Sequence, residues 1–157
     1  MKRAVLIVNP FASAVTEERL AAVARELAGV RLEVLLTERP EHATELVRGV
    51  RGADTLLVYG GDGLLNEALN GVDGSTPVGV LPGGRTNVVV RALGVPTDPV
   101  EAASAVRRAV PRRISLGRVN GRRFAFAAGI GPTSSGASLD AAKSGGSPQC
   151  GRAPPRR

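Results

Sequence analysis

A chain of 157 residues with 43% apolar content fits one ordinary domain and is long enough to bury a substantial core. Aromatics are only 3%, so the core must be built from Ala, Val and Leu; this suits a helix-covered parallel sheet and disfavours both an aromatic-rich β-sandwich and base stacking of single-stranded RNA. The formal net charge of +7 points to anionic partners, while Cys150 stands alone and leaves neither an intramolecular disulfide nor a thiolate metal site.

In chain order the first signal is the apolar run at residues 4–8, ended by Asn9 and Pro10. Behind Met1, Lys2 and Arg3 it faintly mimics a secretory leader. The run is too short, however, and no small-residue cleavage pattern follows, so it reads as a first buried strand. Residues 17–27 place Leu20, Val23, Ala24 and Leu27 on one helical face, with Thr16 as N-cap and Gly29 as stop. A second apolar run at 32–36 predicts another strand, and residues 40–50 repeat the helical spacing through Ala43, Leu46, Val47 and Val50 before Gly52. His42, the sole histidine, falls at the start of this helix and reads as a surface residue; no catalytic triad or zinc set assembles around it.

The third run, 55–59, leads into Gly60, Gly61, Asp62 and Gly63, and a helix is expected to start inside that glycine cluster. Leu64, Leu65, Ala68 and Leu69 would pack inward, Asn66 and Glu67 would point toward the loop, with Glu67 in the first turn, and Asn70 with Gly71 would supply the stop. A fourth run at 78–81 is followed by Pro82, Gly83 and Gly84 and then a helix expected over 86–93. Short continuous apolar runs are expected of strands buried on both faces. Their alternation with helices predicts right-handed crossovers, a parallel sheet, and both glycine loops at its ligand-binding edge.

Asp98 can cap a further helix reaching Arg108, and residues 113–127 form a hairpin through an Asn120-Gly121 turn. The late arginines, including Arg107, Arg108, Arg112, Arg113, Arg118, Arg122 and Arg123, read as a solvated rim. Residues 132–157 are rich in Ser, Gly, Pro and Arg and are expected to be disordered. No run approaches the ~20 apolar residues of a membrane span, so a cytoplasmic protein with at most peripheral membrane contact is expected.

Glycine lets main-chain N–H groups approach an anion, and a following helix adds its positive end, so a strand-glycine-helix unit used twice suggests a phosphate site. Taken alone, Gly60 and Gly61 could be an ordinary strand-to-helix turn, Asp62 an N-cap, Glu67 a dipole partner and Arg85 a solvent-facing side chain. Neither a Walker lysine motif nor a spaced G-x-G-x-x-G fingerprint occurs in the first loop. With Val8-Asn9-Pro10 upstream and Leu81-Pro82-Gly83-Gly84-Arg85-Thr86-Asn87 downstream, the chain from about Lys2 to Gly131 resembles the diacylglycerol kinase catalytic-domain family, which includes sphingosine kinases and bacterial lipid kinases.

That resemblance implies a three-layer α/β/α Rossmann-like parallel sheet, as in the N-terminal lobe of NAD kinase and diacylglycerol kinase-like proteins, ending in a β-hairpin. Residues 1–131 would form the nucleotide-binding lobe, with a second, β-rich domain largely missing. The implied reaction moves the γ-phosphoryl of ATP to a lipid hydroxyl such as that of diacylglycerol, with Mg²⁺ assisting. Asp62 would be the catalytic acid. Asn9, Gly60, Gly61, Asp62, Gly63, Asn66, Glu67, Gly83, Gly84, Arg85, Thr86 and Asn87 would surround the nucleotide. The expected partners are ATP and a lipid at an anionic membrane surface, with no nucleic acid.

Three departures qualify the resemblance. Leu64 stands where threonine is usual, removing a hydroxyl whose bond to phosphate would contribute about 1.5–3 kcal/mol. Arg85 also replaces a common threonine, although its guanidinium could fork onto phosphate. No Asp-Gly-Glu motif follows Gly131, so a truncated or frame-disrupted member is expected, with Phe124 and Phe126 uncovered and dimerisation as a consequence. An NAD kinase-type phosphotransferase and a non-catalytic nucleotide-binding module are the alternatives.

Overall fold

The computed structural model describes residues 1–126. The expected tail, Cys150 and the last residues of the expected lobe lie outside the described residues. Strands β1 (Arg3–Val8), β2 (Arg31–Leu36), β3 (Thr55–Gly60) and β4 (Val78–Pro82) form a parallel sheet in the order β2-β1-β3-β4. Helices α1 (Glu17–Glu26), α2 (His42–Gly49), α3 (Asp62–Gly71), α4 (Val88–Ala92) and α5 (Pro99–Arg108) link and cover them. An antiparallel hairpin of β5 (Gly117–Val119) and β6 (Arg122–Phe124) follows.

Two aliphatic clusters lie on opposite faces of the sheet. On one, Val5, Ile7, Leu56 and Val58 pack with Ala43 and Val47 of α2, Leu65 and Ala68 of α3, and Val89 and Val90 of α4. On the other, Leu6, Val8, Leu57 and Tyr59 pack with Val23 of α1 and Ala102 and Ala103 of α5. The central strands β1 and β3 are therefore buried on both faces, and each fully buried large aliphatic contributes roughly 1.5–3 kcal/mol. Their near-continuous apolar sequences follow from that position.

Strand β2 departs from the expectation of two-sided burial. It is an edge strand, with Val34 41% and Leu36 48% exposed, because α1 and α2 cover only part of each of its faces. Helix α2 starts at His42 rather than Pro40, since Glu41 takes a left-handed conformation with φ 65°. His42 is half-buried and accepts the Glu38 N–H at Nδ1, 3.1 Å, closing the turn before the helix. Helix α4 starts at Val88 rather than Thr86 because Asn87 is also left-handed.

The caps expected at Thr16 and Asp98 form, with Thr16 accepting from Arg19 N–H and Asp98 from Val100 and Glu101 N–H. The hairpin is shorter than the sequence suggests, with Ile114 exposed and unpaired by any strand. Its turn is as expected: Asn120 and Gly121 both have positive φ, the requirement of a tight hairpin. Gly71 does not end α3 by a left-handed turn. It is helical, and a Cβ there would lie 2.7 Å from the Thr44 carbonyl oxygen, so the missing side chain permits close α2–α3 packing.

Candidate functional site

The carboxyl ends of β1, β3 and β4 lie side by side, and each runs into a loop singled out by the sequence. Helix α1, following β1, covers one face of the sheet, whereas α3, following β3, covers the other. The chain thus parts to opposite faces between β1 and β3, the point where open α/β sheets bind ligands.

The two glycine loops touch backbone to backbone. Gly83 N–H donates to the Gly60 carbonyl at 2.8 Å. A Cβ on Gly83 would sit 2.8 Å from Gly60 Cα, and one on Gly84 would sit 2.7 Å from Gly61 Cα. Gly83 and Gly84 are therefore required by the mutual approach of the loops, a constraint that two separate loop sequences do not reveal. Gly63 is different, because a Cβ there would meet nothing within 4 Å.

Asp62 joins the loops electrostatically. Although it is the first residue of α3, its carboxylate caps α4 instead, accepting Val88 N–H at Oδ2, 3.0 Å, and Val89 N–H at Oδ1, 3.2 Å. The second loop is further held by Asn87, whose Oδ1 accepts Gly84 N–H and whose Nδ2 donates to the Gly84 carbonyl at 2.7 Å. Arg85 and Thr86, between these anchors, are exposed.

At the start of α3 the amides of Asp62, Gly63 and Leu64 have no backbone acceptor among the described residues; the first helical bond runs from Leu65 N–H to the Gly61 carbonyl. Unpaired first-turn amides and the helix dipole make this end attractive to an anion. Leu64 contributes its amide but not its side chain, which is buried and covers Gly60, where a Cβ would come 2.6 Å from Leu64 Cδ2. Position 64 thus faces the core, and the leucine side chain fills space against Gly60.

Asn9 ends β1 and folds onto its own loop, Oδ1 accepting Phe11 N–H at 2.9 Å, while its N–H continues the ladder to Tyr59. The loop continues across the site. Ala14 N–H donates to the Gly83 carbonyl at 2.9 Å, and the Ala14 carbonyl accepts from Tyr59 OH and Arg19 Nη1, each at 3.2 Å. Burial of Tyr59 raises its phenol above the usual value, keeping it a neutral donor.

Two sequence expectations are corrected at α3. Asn66 does not face the loop: its Oδ1 accepts Ala125 N–H of the hairpin at 3.2 Å. Glu67 is the sixth residue of α3, beyond the first turn, so the dipole role expected for it is not available. The hairpin aromatics are also less exposed than expected, with Phe126 packed on one core cluster and Phe124 lying over Gly117. Sequence reading passed over Arg123, counted with the solvated rim. Its Nη1 instead donates to the Leu69 and Val72 carbonyls at 3.0 and 2.6 Å, capping the end of α3.

Among the described residues no group of three or more His, Cys, Asp or Glu side chains gathers as a metal site. Two depressions of about 470 and 390 Å³ lie away from the glycine loops, one lined by Arg3, Glu33 and Arg51 and the other by Val47, Gly71 and Asp73. The glycine loops at the strand ends are thus separate from both.

Fold and loop geometry together define a parallel α/β lobe with two glycine loops in contact at its strand ends. Residues 3–119 match the diacylglycerol kinase catalytic domain, and the chain belongs to that family. It is 37% identical over 140 residues to a diacylglycerol kinase of Bacillus subtilis, covering 83% of this chain and 46% of that protein. It is 39% identical over 93 residues to sphingoid long-chain bases kinase 1 of Arabidopsis thaliana, covering 52% of this chain and 12% of that one. A crystal structure of a diacylglycerol kinase from Bacillus anthracis superposes with a TM-score of 0.73 at 29% identity, over 78% of this chain and 45% of that one. The chain spans about half the length, or less, of these relatives.

Proposed function

We propose that this lobe binds ATP at the paired glycine loops and serves transfer of the γ-phosphoryl group to a lipid hydroxyl such as that of diacylglycerol. The observation that carries this reading is the contact of the two loops beside the unpaired amides of Asp62, Gly63 and Leu64. Those amides, with Gly60 and Gly61 behind them, would receive the phosphates. Gly83, Gly84 and Asn87 form the opposing wall and present Arg85 and Thr86, whose guanidinium and hydroxyl suit phosphate oxygens. Asn9 borders the nucleotide from β1. Glu67 is assigned to the periphery of the site, on the second turn of α3.

Mg²⁺ is the ion this reaction class employs, and its fit rests on Asp62. Each carboxylate oxygen accepts one amide, leaving a second lone pair on each. One carboxylate with water and substrate phosphates is a common Mg²⁺ environment. Asp62 would hold the ion, directly or through water, and the ion would neutralise charge on the transferred group. The chain's own contribution is to orient the phosphates and keep both loops in register. The acceptor's oxygen attacks the γ-phosphorus, the bond to the ADP oxygen breaks, and the acceptor's proton leaves to a base, a role Asp62 would fill as the alternative to holding the ion.

Among the described residues no helix is long and apolar enough to cross a membrane. We take the lipid to be met at an anionic membrane surface, consistent with the net charge of +7. A second reading, a nucleotide-binding module without transfer, is favoured by the engagement of both Asp62 oxygens with α4. Purified protein incubated with labelled ATP, Mg²⁺ and vesicles of diacylglycerol, sphingoid base or added NAD separates these readings when ATP binding is measured alongside. Labelled lipid supports the kinase, binding without product supports the module, labelled NAD redirects the acceptor, and absence of ATP binding overturns the site.

A further inference from the structure

Helix α3 carries a polar stripe beside its buried face of Leu64, Leu65, Ala68 and Leu69. Asp62, Asn66 and Asn70 recur every four residues and so share one face. Asparagine is a poor helix-interior residue, because its amide competes with the backbone. Here the stripe is matched to partners from end to end. Asp62 holds the α4 amides of the second glycine loop. Asn66 accepts Ala125 N–H. Asn70 accepts Arg123 N–H at 2.8 Å and donates to the Arg123 carbonyl at 2.9 Å and to the Asn66 carbonyl at 2.7 Å, using its oxygen and both amide hydrogens.

The spacing explains why two asparagines suffice. Four helical residues rise about 6 Å. Two extended residues advance about 6.6 Å. Asn66 and Asn70 therefore meet Ala125 and Arg123 in step, as successive rungs between a helix and an extended segment. A one-residue slip of the segment would leave both rungs without their amides. Within the docked hairpin Phe124 covers Gly117 so closely that a Cβ there would lie 2.1 Å from the ring.

We propose that Asn66 and Asn70 are positioning residues that index the hairpin to the helix bearing the phosphate-binding amides. This reassigns Asn66 from nucleotide ligand to scaffold. It rests on the reading of the α3 N-terminus as the phosphate-binding end.

The test pairs amide hydrogen exchange with ATP binding on the full chain, comparing wild type with Asn66→Leu, Asn66→Asp and Asn70→Ala. Aspartate keeps an acceptor for Ala125 N–H but would repel a triphosphate. Asn66→Leu and Asn70→Ala should speed exchange at Ala125 and Arg123 by about 3- to 10-fold, the loss expected of a single hydrogen bond, with ATP affinity within twofold of wild type. Asn66→Asp should keep wild-type protection at Ala125 and, with no triphosphate against residue 66, an ATP affinity within twofold of wild type. With diacylglycerol vesicles, Asn70→Ala should lower kcat while leaving the KM for ATP unchanged.

The proposal is overturned if Asn66→Asp weakens ATP binding tenfold or more, which would make Asn66 a ligand. Unchanged exchange at both amides in Asn66→Leu would overturn it equally, and Asn66 alone decides should Asn70→Ala fail to fold. Absence of transfer by the wild type counts against the kinase reading but leaves the exchange result intact.

Discussion

The two glycine loops look alike in sequence and are used differently in space. The first runs straight into α3 and leaves its opening amides free, with Gly63 facing open space. In the second, the amides on either side of residues 85–87 are occupied: Gly83 N–H bonds to Gly60, Gly84 N–H to Asn87, and Val88 and Val89 N–H to Asp62. The first loop thus opens on its helix with free amides, and the second is tied to it at both ends as a brace. The lesson is that a glycine-rich motif can serve an anion or another backbone, and only the partner tells which.

The largest effect that would break this distinction is expected at the contact between the loops. Gly84→Ala forces a methyl against Gly61 Cα, and relief requires backbone movement. We expect a loss of roughly 1–3 kcal/mol, read as a lower denaturant midpoint. A variant as stable as wild type would show that the loops are not braced against each other.

Asp62→Ala comes next. It removes both acceptors from the start of α4, at a cost of about 1–2 kcal/mol, and should abolish transfer to diacylglycerol. Retained activity would confine Asp62 to the brace.

Gly63→Ala sharpens the comparison from the other loop. With no neighbour to displace and a helical position, the variant should be about 0.5–1 kcal/mol more stable. Its methyl would lie on the surface proposed to meet phosphate, so ATP affinity should fall in calorimetry. Unchanged affinity would move the phosphate site elsewhere.

The smallest effect is expected at the opposite end of the sheet, as a control. Asp54 Oδ2 accepts the Lys2 and Arg3 N–H groups at 2.8 and 2.9 Å, and these bonds, Arg3's first, hold its carboxyl below the usual carboxylate range. A lowered folded-state value means the stabilisation is present above the unfolded value of about 3.9 and is lost as the pH falls through the folded value. Asp54→Asn should therefore lower the melting temperature slightly at pH 7, and the difference should close at strongly acidic pH. ATP affinity at neutral pH should not change; a loss would mean the two ends of the sheet are coupled.

Much of this lobe could be read without coordinates. Helix α1 is flanked by the expected Thr16 cap and the left-handed Gly29, and the Asn120-Gly121 turn forms where the dipeptide announces it. These features are local, decided by backbone preference and side chains within a few residues. The edge position of β2 was not legible, because its apolar run resembles those of β1 and β3 and burial depends on what packs above it. Asn66, Asn70 and Arg123 were equally opaque: their partners lie more than 50 residues away in sequence.

Residue order alone was sufficient to establish the alternating elements, the family resemblance and the loops on which a nucleotide site would be built, since periodicity, capping and glycine placement act over short stretches of chain. Long-range packing was needed to set the two loops against each other, to turn Asp62 toward α4, and to convert two helical asparagines into rungs for the hairpin. The physical reason is that a polar side chain or a bare Cα acquires its role from whatever donor, acceptor or backbone the fold brings against it, and hydrogen-bond satisfaction at close range is a property of that encounter.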